Sequence, residues 1–199
     1  MTKAVVNLPI FPLPVYLLPE GITRLRIFEQ RYLKMIKIAT KGQGFVIFSA
    51  IDKNIDAANK SNLFWGSCVE IINFDQSKDG VLEVDVKCKS LVEILSTTVD
   101  DDNLMFGDVI QLPHWSQTKS PYPLGELSTS LESLFNNNPL LDALYPKKNI
   151  DNEVWVVARW LELLPVSSEI KNSFVTSQNY EAARGFVESI FLNSPSLAK

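Results

Sequence analysis

Residues 8–35 read LPIFPLPVYLLPEGITRLRIFEQRYLKM. Pro9, Pro12, Pro14 and Pro19 forbid a helix over the first half, because proline lacks an N–H and pushes the residue before it into extended backbone. What remains is apolar extended chain suited to the inside of a sheet. Pro19-Glu20-Gly21 reads as a tight turn. Ile22–Ile27 is short and β-competent, and Phe28-Glu29-Gln30-Arg31-Tyr32 opens a helix that runs to about Thr40. The unit is strand, turn, strand, helix.

Outward from this unit the first part of the chain continues as strands. Residues 44–48 (GFVIF) form a short buried-type strand, and the polar, aperiodic run from Ala50 to Asn62 reads as a long loop. Cys68–Phe74 is the next strand, and the run from Asp75 to Gly80 closes a hairpin on Asp-Gly. Leu82, Val84, Val86 and Cys88 then alternate with Glu83, Asp85, Lys87 and Lys89, giving a strand with one dry face and one wet face. Leu91–Leu95 and Leu104–Leu112 supply two more strands. Short, largely antiparallel strands at this spacing suggest a small closed or nearly closed sheet.

The period changes at Pro113. The connector HWSQTKSPYP (114–123) is rich in turn residues. Beyond it Leu124, Leu127, Leu131 and Leu134 mark a helix face that ends at Asn136-Asn137-Asn138-Pro139. Asp151 is expected to cap a helix striped by Val154, Val157, Ala158, Leu161 and Leu164 and stopped by Pro165. Ser167 or Ser168 starts a third helix with Ile170 and Phe174 inward, and a last one carries Tyr180, Ala183, Val187, Ile190 and Phe191. The fold class is therefore α+β, with a β-rich lobe over 1–115 containing one helix and a helical lobe over 116–199.

At 199 residues, 46% hydrophobic and 21% charged, the chain can bury a core without a metal or disulfide staple. Residues 1–115 hold 12 Lys/Arg against 14 Asp/Glu, and 116–199 hold 7 against 9, so each lobe carries −2. That flat charge map argues against nucleic acid as a partner. Two cysteines, Cys68 and Cys88, fit free thiols in a reducing compartment. A proline-broken N-terminus does not read as a signal peptide, and no apolar run reaches membrane-spanning length, so a cytoplasmic protein without a membrane partner is expected.

Candidate chemistry is sparse. His114 is the sole histidine, so a Cys–His or Ser–His device would have to use it. Cys88 lies on the dry strand face, where a thiol behaves as a small hydrophobe. Three Cys/His residues cannot furnish a four-ligand zinc site, and Asp100-Asp101-Asp102 reads as a hydrated turn; no metal or other cofactor is expected. Arg26, Glu29 and Arg31 form a candidate structural ion pair at the start of the first helix. One feature is unusual: Val15-Tyr16-Leu17-Leu18, with Ile22 just beyond, makes a connecting segment far more apolar than an ordinary surface loop. Such a segment is either tucked under a neighbour or displayed to a partner. Val15, Tyr16, Leu17 and Ile22 are the candidate peptide-binding residues.

Leu8-Pro9-Ile10-Phe11-Pro12-Leu13, then Pro19 and Gly21, Leu25, Ile27-Phe28-Glu29 and Arg31-Tyr32 together resemble the opening of the Lon protease substrate-binding domain. The resemblance continues through Gly66 to Ile71, through Asp79-Gly80 with Leu82 and Val84, and through Leu164-Pro165-Val166-Ser167 and Lys171. It departs at Cys88-Lys89-Ser90-Leu91-Val92, where the family often has Gly and then Arg-Phe, and at Arg26, near which a histidine is common. The resemblance implies a pseudo-barrel like that of PUA-type domains followed by a helical bundle. It also implies a non-catalytic module that recognises unfolded or extended polypeptide segments, as an adaptor or chaperone-like holder tied to a protease or chaperone system. The alternative it leaves open is a PUA-like binder of nucleic acid or a small ligand. Full-length Lon proteases add ATPase and peptidase modules. This sequence shows no G-x-x-x-x-G-K-[ST] loop, and Gly42-Gln43-Gly44 lacks the lysine and the spacing. Neither ATP hydrolysis nor peptide cleavage is expected of it.

Overall fold

Proline decides where the first strand can sit. β1 (Val6–Pro12) carries two prolines. Pro9 pairs with Phe106, while the pairing with β3 begins only at Ile10. Among the described residues Pro9 therefore has a neighbouring strand on one side only, where a residue without an N–H is tolerated. The computed structural model describes residues 4–42, 44–48, 64–115 and 125–193. The loop expected over Ala50–Asn62, most of the 114–123 connector and Leu124 lie outside them. The chain divides into two compact units, Met1–Pro113 and His114–Lys199.

The first unit contains β1, β2 (Ile22–Ile27), α1 (Gln30–Ala39), β3 (Phe45–Phe48), β4 (Trp65–Gln76), β5 (Leu82–Val99) and β6 (Met105–Leu112). Strand order is β2-β5-β4-β3-β1-β6 with a further β5–β6 pairing. That last pairing closes β5, β4, β3, β1 and β6 into a ring and leaves β2 as an extension on β5. β1 and β3 are parallel and every other pair is antiparallel.

The two strands expected over Leu82–Cys88 and Leu91–Leu95 are one continuous 18-residue β5. Its first half serves β2 and its second half β6, with β4 alongside both. Register shifts leave Lys89 and Leu95 of β5, and Ile72 of β4, as extra residues. Bulges of this kind bend a strand, so one chain segment serves both ring and extension.

Leu8, Ile10, Val46, Val92, Ile94 and Val109 form one buried cluster, with Cys68 and Phe48 packed against it. The registers place these residues on a single face, the interior of the ring. The interior is narrow: a Cβ on Gly107 would lie 2.4 Å from Ile10 Cδ1. A second apolar layer lies on the opposite face of the same strands, where Phe11 packs against Tyr32 of α1 at 4.4 Å and against Phe45 at 6.4 Å. Met35 and Ile36 of α1 are buried with them.

The second unit is helical: α2 (Gly125–Asn136), α3 (Pro139–Leu144), α4 (Glu153–Leu163), α5 (Ser168–Ser177) and α6 (Tyr180–Asn193). α4 is its centre, buried without interruption from Trp155 to Leu161 and so around its whole circumference. Trp155 and Trp160 are both inside for that reason, with the Trp160 indole N–H donating to the Leu127 carbonyl at 2.9 Å.

Three details differ from the sequence expectation. Asn152, not Asp151, caps α4, its side chain accepting from Trp155 N–H at 3.0 Å. Phe135 takes the inward place expected for Leu134 in α2, because the larger ring meets Tyr145 at 5.0 Å and Trp155 at 6.0 Å. In α5 the buried residues are Lys171 and Val175, while Ile170 is exposed. The Lys171 ammonium donates to the Glu162 carbonyl at 3.2 Å, which lets the lysine stem line the core and turns the helix by one position.

Candidate polypeptide-binding site

The segment between β1 and β2 is tied down at intervals. Leu13 N–H donates to the Phe48 carbonyl of β3 at 3.0 Å, and Val15 N–H turns back to the Leu13 carbonyl at 2.7 Å across Pro14. The Leu17 carbonyl accepts from the buried Ser67 hydroxyl of β4 at 2.5 Å. Gly21 N–H donates to the Leu18 carbonyl at 2.9 Å, closing a turn with Pro19 at its first corner and Glu20 (φ 69°) at its second. Proline followed by a positive φ is the type II pattern, carried here by a non-glycine residue. Glu20 N–H and the Gly21 carbonyl then pair with Cys88 of β5, each at 2.8 Å. The segment is thus a strap fastened in turn to β3, β4 and β5.

The strap explains its own apolar sequence. Leu17 is 3% exposed and Leu18 is fully buried, so both belong to the outer core layer and Leu17 leaves the candidate contact set. Val15, Tyr16 and Ile22 stay half-buried. The Tyr16 ring stands perpendicular to that of Trp65 with centroids 5.7 Å apart, an edge-to-face contact that fixes Tyr16 against β4. What the first unit presents here is a fixed apolar rim: tucked at Leu17 and Leu18, accessible at Val15, Tyr16 and Ile22.

The three charged residues at the start of α1 do not form one cluster. Arg31 and Glu29 pair at 2.8 Å, and the Arg31 guanidinium covers the Tyr32 ring at 4.7 Å. Both partners are more than a third exposed, so their pairing is worth no more than about 1 kcal/mol. Arg26 points the other way, to Asp79 at 2.5 Å and Glu83 at 3.7 Å. Ser77 and Arg26 together hold the Asp79 carboxyl down to about 2. Phe28, between β2 and α1, is exposed.

The polar group that sequence reading missed is Arg24–Asp85. Asp85 sits on the nominally wet face of β5 yet is buried, because Arg24 reaches it at 2.6 and 2.9 Å and Asn73 at 3.1 Å. The cross-strand register Arg24–Asp85–Asn73 would have revealed it, and register is not readable from one strand's alternation. The acidic turn is also anchored. Lys34 of α1 binds Asp100 at 2.8 Å and also Asp102, and Asp100 accepts the Asp102 and Leu104 N–H groups.

The residues considered for other chemistry are placed as follows. Cys88 is buried and Cys68 half-buried, and neither is in a disulfide. Burial pushes the Cys68 thiol up, away from the thiolate that nucleophilic work needs. In the second unit His114 stacks on Trp115 at 4.5 Å with Nε2 buried, and burial beside Arg159 lowers it to about 4. Among the described residues no three His, Cys, Asp or Glu side chains gather as a metal-binding group.

Residues 7–181 match the model of the family described as the ATP-dependent protease La (LON) substrate-binding domain. Among solved structures the chain is similar to a Lon N-terminal domain protein from Xanthomonas campestris, 29% identical with a TM-score of 0.63, covering 85% of this chain and 89% of that one. It is also similar to the N-terminal domain of a Mycobacterium avium complex Lon protease, with a TM-score of 0.60 over 94% of this chain and 96% of that one. At 9% identity the second likeness speaks for the fold alone. No curated protein sequence matches it.

Proposed function

The chain belongs to the ATP-dependent protease La (LON) substrate-binding domain family, and from that premise we propose that it captures extended polypeptide segments without altering them covalently. The substrates of a protease are polypeptides, so the family supports polypeptide binding. The finer roles, an adaptor that passes segments to a protease or a holder that shields them, are part of the proposal. The observation that carries it is the strap. Its backbone is fastened to three strands, while Val15, Tyr16 and Ile22 keep apolar surface within reach of a partner. A pre-set rim spares the ordering of its own side chains, but the peptide must still be ordered against a small area. Binding is therefore weak, with Kd roughly 10–100 μM.

The test is a titration of isotope-labelled protein, followed by its amide signals, with an apolar peptide, a polar scrambled peptide and a short RNA. Amide shifts around 13–22 with the apolar peptide alone, little changed by added salt, are expected. Tyr16→Ser should weaken that binding with the melting temperature nearly unchanged. Shifts confined to the second unit, or shifts with RNA that vanish in salt, would contradict the reading. If Tyr16→Ser unfolds the first unit, the strap is core and not a contact surface.

A further inference from the structure

β4 outlasts its neighbour. β3 pairs with it only at Ser67–Val69, whereas β4 runs on beside β5 to Gln76. Beyond Val69 it has β5 on one side and, among the described residues, no strand on the other. The outward main-chain groups can be assigned from the hairpin. Ser77 N–H donates to the Val81 carbonyl at 3.0 Å. Hydrogen-bonded pairs alternate with open ones, so Asp75 turns its backbone groups toward Glu83, and Phe74 and Gln76 turn theirs outward. One outward donor is held by a side chain instead of a strand: Gln76 N–H donates to Asp75 Oδ1 at 2.8 Å.

The side chains along this edge are equally specific. Leu25, Val84 and Phe74 stand in one cross-strand row. Leu25 and Val84 are buried, but Phe74 is 50% exposed. In the next row stand Arg26, Glu83 and Asp75. Arg26 is 3.7 Å from Glu83, so the charges of this row run plus, minus, minus across three strands, and Arg24 of the adjacent same-face row, 3.5 Å from Glu83, attracts Asp75 as well. Like charges directly opposite each other oppose pairing, and a cation on a fourth strand would offset the second minus.

We propose that the outer edge of β4, residues 72–76, takes an extended polypeptide as an added strand, with a basic side chain beside Asp75 and an apolar one beside Phe74. Neighbouring residues of a strand point to opposite faces, so the fitting occupant is unfolded chain in which apolar and basic residues alternate. Main-chain pairing supplies the attraction, and the two side chains set the register. This rests on the polypeptide-capture reading and names both a second contact surface and the class of segment it takes.

The experiment titrates the labelled intact protein with a short peptide of alternating lysine and valine, with its glutamate–valine counterpart, and with the lysine peptide N-methylated along one edge. The lysine peptide should shift the amides of 72–76, and N-methylation should weaken it about ten-fold or more by removing main-chain donors. The glutamate peptide should leave 72–76 unshifted. Asp75→Lys should weaken the lysine peptide about five-fold. Asp75→Asn, which keeps an acceptor for Gln76 N–H, removes the charge alone and serves if the reversal fails to fold. Equal affinity for the N-methylated peptide would overturn strand addition. Shifts at 13–22 with none at 72–76 would overturn this edge while leaving the strap reading standing. No binding of any peptide at either surface would sink both.

Discussion

Buried Asp85 and half-buried His114 both make the stability of the fold depend on pH. The Asp85 carboxyl is held below the usual carboxylate range, first by the Arg24 hydrogen bond and then, against the cost of burial, by Asn73. A carboxyl depressed in the folded state adds stability above its unfolded value near 4 and loses it as pH falls through the folded value. Asp85→Asn should therefore cost about 1–3 kcal/mol at neutral pH and progressively less as pH falls below about 4, read from urea midpoints along that range. His114 behaves oppositely in origin but also weakens the fold in acid. Its folded value is lowered to about 4, so the unfolded chain binds a proton first. Stability then falls as pH drops from about 6.5 toward 4, by up to about 1.4 kcal/mol per pH unit. His114→Gln should flatten that interval and leave the lower one, set by the carboxylates, in place.

Elements show what backbone geometry alone demands. Gly44 enters β3 at φ 87°, and a Cβ there would lie 2.0 Å from the Val69 carbonyl oxygen. Gly44→Ala should destabilise the first unit by about 2 kcal/mol or more, visible as a lowered melting temperature with an unchanged second unit. The registers also keep the two thiols apart. Cys68 packs on the ring-interior face, while Cys88 pairs with Val69, the next residue of β4, whose side chain is on the other face. Much of this was legible in the chain. Prolines and Pro19-Glu20-Gly21 marked β1 and the turn, alternation marked β5, and Asn138-Pro139 and Pro165 marked helix boundaries, because each acts through local backbone chemistry. What was not legible depends on partners distant in sequence. The continuity of β5, the burial of Asp85 and the rotated face of α5 each arise from cross-strand or cross-helix neighbours. The strap was half legible: its apolar character was plain, but where it lies depends on partners far along the chain, such as Ser67, 50 residues away, whose hydroxyl holds the Leu17 carbonyl.

The whole molecule carries a net charge of −4, and its first unit holds the two surfaces proposed to take extended chain, an apolar rim and a strand edge. No helix of the described residues is long and apolar enough to cross a membrane. Capture without chemistry requires the first unit to meet unfolded polypeptide directly. Fluorescence anisotropy of a dye-labelled, permanently unfolded polypeptide, titrated with the purified protein without nucleotide, reads that encounter. Capture should give a saturable rise with a midpoint of roughly 10–100 μM, insensitive to moderate salt, with the polypeptide recovered at its original mass. A flat titration to millimolar protein, or recovery of the polypeptide as fragments, would contradict it.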